Sequence, residues 1–174
     1  HFSLGRDIEI LMIDGNRKFG NELLLPAGPL REPKSRIKTV DFTISSNRKW
    51  PSVAKYEMKY RPFKWVHMKS QKEYDIFDWP LKKEVNAVAG IGNPSNFFNL
   101  LKQLGFEISE YAFPDHHDFH SVDFEIMDNQ PTVMTEKDAI KCSFLDHTNY
   151  WYLKIEAEVS DNFEQDFLAE IKSK

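Results

Sequence analysis

The densest group of side chains that could do chemistry lies at residues 115–120, where three histidines and two aspartates fall within six positions. These residues are Asp115, His116, His117, Asp118 and His120. Such a group could bind a metal ion, or a carboxylate could polarise a histidine for proton transfer. It follows a predicted strand, which is where ligand-binding loops lie in an open parallel sheet. The alternative is a helix start capped by Asp115 or Asp118, with the histidines in solvent.

A second pair, Arg31 and Glu32, lies between Pro29 and Pro33 in a loop that follows an apolar run. An arginine held there could bind a phosphate through two parallel N–H groups. The glutamate could bind magnesium or a ribose hydroxyl. A structural salt bridge would explain the pair equally well.

Two other motifs indicate turns and helix starts rather than catalysis. The segment 90–95 (Gly-Ile-Gly-Asn-Pro-Ser) lies where a dinucleotide fingerprint would, but Ser95 occupies the third glycine position and Pro94 lacks an amide proton. Segment 134–139 predicts a helix capped by Thr135. No Gly-x-x-x-x-Gly-Lys-Ser/Thr phosphate-binding loop occurs in the 174 residues.

Hydrophobic periodicity predicts the elements that must position these groups. Strands are predicted at 8–14, 85–91, 106–112, 132–135 and 151–159, and helices at 94–104, 136–142 and 163–172. Between residues 37 and 79, alternating apolar and polar residues predict antiparallel ribbons. The predicted fold class is therefore α/β, a layered α/β/α arrangement with a mainly parallel sheet and an antiparallel β-ribbon insertion.

Composition narrows the class of protein. A net charge of −4 argues against a nucleic-acid partner, although the region 31–72 has a basic excess that could hold an anionic substrate. Cys142 is the single cysteine, so no intrachain disulfide is possible. No run is long and apolar enough to cross a bilayer, and the N-terminus has no signal pattern. The chain begins at His1 without a methionine, and we expect further sequence upstream.

Several segments together resemble the tetraacyldisaccharide 4′-kinase family of Gram-negative bacteria, the lipid A 4′-kinases. The matching segments, in chain order, are Asp14-Gly15, Phe19-Gly20-Asn21, Leu24-Leu25-Pro26-Ala27-Gly28-Pro29-Leu30-Arg31-Glu32-Pro33, Ala89-Gly90-Ile91-Gly92-Asn93-Pro94 with Phe97-Phe98, Ala112-Phe113-Pro114-Asp115-His116, Met134-Thr135-Glu136-Lys137-Asp138-Ala139, and Trp151-Tyr152-Leu153. They cover essentially the whole chain, and the motif around Arg31 is long enough to be specific.

The resemblance implies transfer of the ATP γ-phosphate, with Mg²⁺, to the 4′-hydroxyl of tetraacyldisaccharide 1-phosphate. The product is lipid IVA. It also implies action at the cytoplasmic face of the inner membrane, with peripheral or upstream attachment. The basic and aromatic stretch 61–65 is a hypothetical contact with that surface. Because the family's phosphate-binding loop is not in these residues, we expect the chain by itself to be inactive as a kinase.

The resemblance also assigns roles to individual residues. His116 is expected to orient and polarise the catalytic aspartate, which lies outside this chain, and Asp115 to fix the histidine tautomer. Arg31 and Glu32 are expected near nucleotide and magnesium. His1 would end the family's Asp-Asp-Gly-Phe-Gln-His motif beside the same ligands. No residue is assigned as a metal ligand.

The implied domains are 1–36, the end of a P-loop kinase domain; 37–82, a β-ribbon connector; and 83–174, a C-terminal α/β domain. Two other functions stay open on the sequence. One is a metal-dependent phosphoesterase that uses the Asp115–His117 cluster. The other is a non-catalytic binding module derived from a kinase.

Overall fold

A computed structural model describes residues 5–127, 129–145, 148–160 and 162–173. The strands are β1 (Ile10–Asp14), β2 (Phe42–Ser46), β3 (Tyr56–His67), β4 (Glu73–Asp75), β5 (Glu84–Ala89), β6 (Glu107–Ala112), β7 (Thr132–Thr135) and β8 (Tyr150–Val159). The α-helices are α1 (Pro94–Gln103), α2 (Val122–Glu125), α3 (Glu136–Ala139) and α4 (Asn162–Ser173). Short 3₁₀ helices span Lys34–Thr39 and Ile140–Cys142.

The chain divides into two units: one runs to Arg61 and resumes at Ala157, and the other is Pro62–Glu156. Strands β3 and β8 contribute residues to both. The implied domains 1–36, 37–82 and 83–174 describe the origin of each segment within the family's fold, and this division stays a prediction.

The first unit contains a parallel sheet of β1, β2 and the start of β3. Ile10 lies opposite Phe42 on β2, and Ile44 lies opposite Tyr56 on β3. The predicted antiparallel arrangement is wrong for β2, which runs parallel to both neighbours. Alternation of apolar and polar residues shows which face of a strand is buried. It does not show whether the strand runs parallel or antiparallel to its neighbours.

Aromatic packing covers one face of this sheet. The rings of Phe163 and Phe167 on α4 lie 5.5 Å and 5.8 Å from Phe42, and Phe163 also contacts Tyr56 edge-on. Edge-to-face contacts of this kind stabilise a core beyond the area that they bury. Helix α4, predicted at 163–172, is thereby confirmed.

The second unit is built on parallel strands in the order β6–β5–β7–β8, with β4 antiparallel to β3. Alternate residues of β5 face opposite layers: Val85, Ala87 and Ala89 pack with α1, whereas Val88 packs beside Phe119 and Phe124. The predicted α/β class with a mainly parallel sheet and an antiparallel ribbon (β3 with β4) is confirmed.

Most predicted elements of the second unit are present within one or two residues. Helix α1 begins at Pro94 as predicted, and Gly105 follows it with a φ of +82°, a left-handed conformation that suits glycine. Helix α2, a single turn, was not predicted because four residues give no periodicity. None of the helices in the described ranges has the length and apolarity needed to span a membrane.

Candidate functional site

The candidate site of the second unit lies at the carboxyl edge of its parallel sheet. β5 pairs in parallel with both β6 and β7, so the segments after these three strands begin at one edge. The connection after β5 leads through α1 to β6, whereas that after β7 leads through α3 to β8. Such a divergence between neighbouring strands is where open α/β sheets bind ligands.

Asp138 joins the segment after β7 to the turn after β5. Its side chain is fully buried, and its Oδ2 accepts the backbone N–H of Gly90 at 2.9 Å and the hydroxyl of Thr135 at 2.7 Å. The Thr135 hydroxyl in turn accepts the Asp138 N–H at 3.2 Å, which confirms the predicted cap of α3. Lys141 Nζ lies 3.4 Å from Asp138 Oδ1. A buried carboxylate with this many donors is fully compensated.

Asp115 and His116 lie in the loop after β6. Asp115 Oδ1 accepts the backbone N–H of His116 at 3.1 Å and the Lys137 ammonium at 3.2 Å. The hydrogen bond from Lys137 lowers the pKa of Asp115, and the nearby His116 acts in the same direction. This carboxylate lies beside the turn after β5, since a Cβ on Gly92 would be in ordinary van der Waals contact with Asp115 Oδ2, at 3.4 Å.

The imidazole of His116 is directed outward. Its side chain is 77% exposed, and its Nε2 lies 3.8 Å from Asp115 Oδ2, which is beyond hydrogen-bond distance. The backbone at His116 has a φ of +63°. No helix begins at Asp115 or Asp118, since α2 starts at Val122, so the capping alternative is wrong.

His117 has a different role from its neighbour. Its ring stacks on Phe113 at 4.7 Å, and its Nε2 lies 2.9 Å from Asp123 Oδ2. The His120 backbone N–H, donating to the same carboxylate, is the largest cause of a lowered pKa at Asp123, and His117 adds to it. His117 therefore packs the loop onto α2 and is not presented to a ligand.

The geometry does not favour a metal centre at this cluster. Within the described ranges, no group of three or more histidine, cysteine, aspartate and glutamate side chains is arranged to hold a metal ion. His116 and His117 use different carboxylates, Asp115 and Asp123. The phosphoesterase alternative, which needs such a centre, is not favoured.

In the first unit, the loop after β1 carries Arg31 and Glu32 on a well-fixed backbone. The Asn21 side chain donates to the Ala27 carbonyl at 2.9 Å and accepts the Leu23 N–H at 3.2 Å. A Cβ on Gly28 would lie only 2.4 Å from the Leu23 carbonyl oxygen. Glycine at position 28 is therefore required for this close approach.

The two charged residues of this loop differ in their partners. Glu32 accepts a hydrogen bond from Arg36 Nε at 2.9 Å, and Arg36 also binds Glu9. Arg31 is exposed and forms no ion pair with any other described residue. The expected nucleotide-proximal pair therefore consists of a cation with no ion pair in the described part of the chain and a carboxylate that is paired with Arg36.

Two other sequence predictions have separate outcomes. His1 lies outside the described residues. In the stretch 61–65, Trp65 is fully buried and donates its indole N–H to the Ile76 carbonyl at 3.0 Å. Trp65 therefore belongs to the core and cannot face a membrane, and the prediction is wrong for this residue, while Phe63 is partly exposed.

Sequence reasoning missed Lys137 and Asp138 as parts of the site. Segment 134–139 was interpreted as helix-start chemistry alone. The signal that could have found them is the pair of charges just after a parallel strand, where the carboxyl edge of the sheet lies. Their partners, Asp115 and Gly90, are 22 and 48 positions away in the chain.

Comparison with known proteins accounts for nearly the whole chain. Residues 1–172 match the family described as tetraacyldisaccharide-1-P 4′-kinase, LpxK. The tetraacyldisaccharide 4′-kinase of Legionella pneumophila (strain Corby) is 45% identical over 169 residues, covering 96% of this chain and 50% of the relative. That of Shewanella woodyi is 42% identical over 174 residues, with 99% and 50% coverage.

A solved structure agrees with these relatives. The crystal structure of LpxK from Aquifex aeolicus in complex with ATP superposes with a TM-score of 0.70 at 26% identity, over 95% of this chain and 52% of that one. The chain thus spans about half the length of the proteins that it matches. Since fold, motif order and relatives agree over residues 1–172, the chain belongs to the tetraacyldisaccharide 4′-kinase family.

Proposed function

We propose that this chain is the C-terminal part of a kinase that transfers the γ-phosphate of ATP to the 4′-hydroxyl of tetraacyldisaccharide 1-phosphate, giving lipid IVA. Family membership and the names of the relatives support this activity. The structural observation that best supports this activity is the outward-directed imidazole of His116. This residue lies in a loop at the carboxyl edge of the second unit's sheet.

His116 acts in this proposal on a catalytic base supplied by the rest of the protein. Phosphoryl transfer depends mainly on positioning and charge neutralisation, and a carboxylate base must be oriented toward the substrate hydroxyl. An exposed imidazole can orient and polarise such a carboxylate by a hydrogen bond. His117, which is bound to Asp123 and stacked on Phe113, does not take this role.

Arg31 and Glu32 fit a nucleotide with magnesium in part. Arg31 is exposed without an ion pair to another described residue, so its guanidinium can bind phosphate oxygens. Arg36 occupies Oε2 of Glu32, which leaves Oε1 for a ligand. Mg²⁺ takes six oxygen ligands, mostly phosphate and water in kinases, so Glu32 would supply one of them. When bound, the ion neutralises charge on the phosphates.

The acylated disaccharide implies a membrane partner, and we place the complete protein at the cytoplasmic face of the inner membrane. Lipid anchored in the inner leaflet is accessible there to an ATP-dependent enzyme. The half-exposed Phe63 and the neighbouring Arg61 are the remaining candidates from the stretch 61–65. The net charge of −4 gives no reason to add a nucleic-acid partner.

The test uses the complete protein, purified and assayed with ATP and tetraacyldisaccharide 1-phosphate. His116→Ala should lower kcat by about 10²-fold, the usual contribution of a positioned acid–base group, while KM for ATP stays nearly unchanged. His120→Ala is the matched control, since His120 is another exposed histidine of the same loop. A wild-type kcat in His116→Ala would refute the assigned role.

The 174 residues by themselves should not phosphorylate the disaccharide. They contain no glycine-rich loop to bind the β- and γ-phosphates, and phosphoryl transfer requires one in P-loop kinases. The measurement is lipid product formed by the purified chain at high enzyme concentration. ATP-dependent product above the enzyme-free background would contradict the proposed division of the site.

A further inference from the structure

We propose that Lys137 is a positioning residue for His116 and acts on it through Asp115. The inference rests on the proposed function, because it assigns a support to the histidine that the reaction would use. Lys137 belongs to segment 134–139, for which the sequence indicated only a helix start. Its ammonium donates a hydrogen bond to Asp115 and comes from the segment that follows a different strand, β7.

The contacts run in one direction, from lysine to carboxylate to backbone. Asp115 Oδ1 accepts both the Lys137 ammonium at 3.2 Å and the His116 N–H at 3.1 Å. The imidazole is not hydrogen-bonded to this carboxylate, because Nε2 lies 3.8 Å from Oδ2. Asp115 therefore controls where the backbone of His116 lies and leaves the ring free for another partner.

The backbone of His116 needs this control. Its φ of +63° is left-handed, a conformation that is unfavourable by roughly 1–2 kcal/mol for residues with a side chain. Aspartate side chains that accept a neighbouring backbone N–H stabilise turns locally. Without the ammonium, the Asp115 carboxylate would be free to rotate away from that amide.

Lys137 is itself held in place by its neighbour in the chain. Asp138 is fully buried and binds the Gly90 N–H, which fixes the start of α3 against the turn after β5. Lys137 is 48% exposed and is not part of the core. Asp138 thus sets the position of α3. Lys137 reaches from α3 to the loop that carries Asp115 and His116, the histidine loop.

A plain surface ion pair would have a different consequence. Exposed pairs contribute little to the free energy of unfolding, with a median of about 0–1 kcal/mol. If Lys137 and Asp115 formed such a pair, its removal would change neither turnover nor stability by a measurable amount. If Lys137 positions His116, kcat should fall while the melting temperature stays almost the same.

The matched control is another lysine of the same unit. Lys102 on α1 binds Glu110 on β6 at 2.6 Å, and both side chains are about half exposed. Both pairs are thus exposed and join a helix to strand β6 or the loop that follows it. Lys102→Met should leave kcat and KM at their wild-type values.

The experiment measures kcat and KM for ATP in the complete protein with Lys137→Met, Lys137→Arg and Lys102→Met. Lys137→Met should lower kcat about tenfold, as expected for a misplaced catalytic group, and leave KM for ATP within about twofold. Lys137→Arg keeps a charged donor and should recover most of the loss. Asp115→Asn, which keeps the shape but weakens the ion pair, should lower kcat by a similar factor.

The decisive comparison repeats Lys137→Met in the His116→Ala background. If Lys137 acts through His116, the double variant should be no slower than His116→Ala alone, because effects on one pathway are not additive. A full multiplicative loss would overturn the inference, as would a wild-type kcat for Lys137→Met. A wild-type kcat for His116→Ala would instead refute the proposed function, so the two failures are distinguishable.

Discussion

The loops of the two units follow parallel strands in the same way but distribute their charges differently. In the second unit, the carboxylates of Asp115 and Asp138 are both paired, and the exposed imidazole of His116 has no hydrogen bond to another described side chain. In the first unit, Glu32 is paired with Arg36, and Arg31 has no ion pair within the described part of the chain. Each loop thus leaves one residue of the proposed site available to a partner, His116 in the second unit and Arg31 in the first, beside carboxylates that are already paired.

The two loops also differ in what fixes the backbone. The histidine loop depends on charged side chains that come from a distant segment, 134–139. The loop that carries Arg31 and Glu32, the arginine loop, depends on a local side chain, Asn21, and on Gly28, which permits close packing. Substitutions of charged residues should therefore have their largest effects in the second unit. Substitutions that restrict the backbone or add side-chain volume should have theirs in the first.

Asp138→Ala should produce the largest effect on stability. It removes a fully buried carboxylate and leaves the Gly90 N–H and the Thr135 hydroxyl without their acceptor. Lost buried hydrogen bonds of this kind should lower the free energy of unfolding by about 3 kcal/mol. Urea unfolding followed by tryptophan fluorescence measures this change, with Glu136→Ala, at a half-buried neighbouring position, as control. A loss below about 1 kcal/mol would contradict the central role of Asp138.

Gly28→Ala should give the next largest effect, in the first unit. The new Cβ would meet the Leu23 carbonyl oxygen at 2.4 Å and the Asn21 Oδ1 at 2.2 Å, so backbone must move. We expect the free energy of unfolding to fall by about 2 kcal/mol, within the usual range for overpacking. Gly90→Ala is the comparison in the second unit, where the nearest atom is a Phe119 ring carbon at 3.1 Å. An equal or greater loss for Gly90→Ala would break the contrast between the units.

Local features of the sequence predicted much of this structure. Thr135 was identified as a cap and Gly105 as a helix end, because capping depends on residues within one turn. Helix α1 followed from apolar residues on one face. The position of the histidine cluster after β6 followed from the strand pattern, and the fold class from the alternation of strands and helices.

Features that depend on distant partners could not be predicted. The direction of β2 is set by its pairing with β1, about 32 positions earlier, and the alternating pattern is the same for either direction. Trp65 was expected in a surface stretch, yet its ring packs against Trp79 and Phe106. The pairing of Lys137 with Asp115 is of the same kind, since no local pattern specifies a contact between the ends of two strands.

Arg31→Met should lower kcat/KM for ATP in the complete protein by about tenfold, or about 1.4 kcal/mol, the loss of one charge-assisted contact. Stability should be unchanged because Arg31 has no ion pair to another described residue. Arg36→Met should show the reverse, since Arg36 joins Glu32 and Glu9. Thermal unfolding and ATP kinetics of both variants are the measurements. A stability loss in Arg31→Met with normal kinetics would invalidate the distinction between available and paired residues.

The smallest effect concerns protonation, and it tests whether charge or packing holds the loop that carries Asp115 and His116. Lys137 lowers the pKa of Asp115, and Arg36 lowers that of Glu9. A carboxylate with a lowered folded-state pKa stabilises the protein above its unfolded value, 3.8 for aspartate, and that stabilisation disappears as pH falls through the folded value. Lys137→Met should therefore raise the pKa of Asp115 toward 3.8, measured by NMR titration of its carboxyl carbon. Any stability difference from wild type should be present at neutral pH and vanish in acid; a difference that persists in strong acid would mean that Lys137 stabilises the loop by packing rather than by charge.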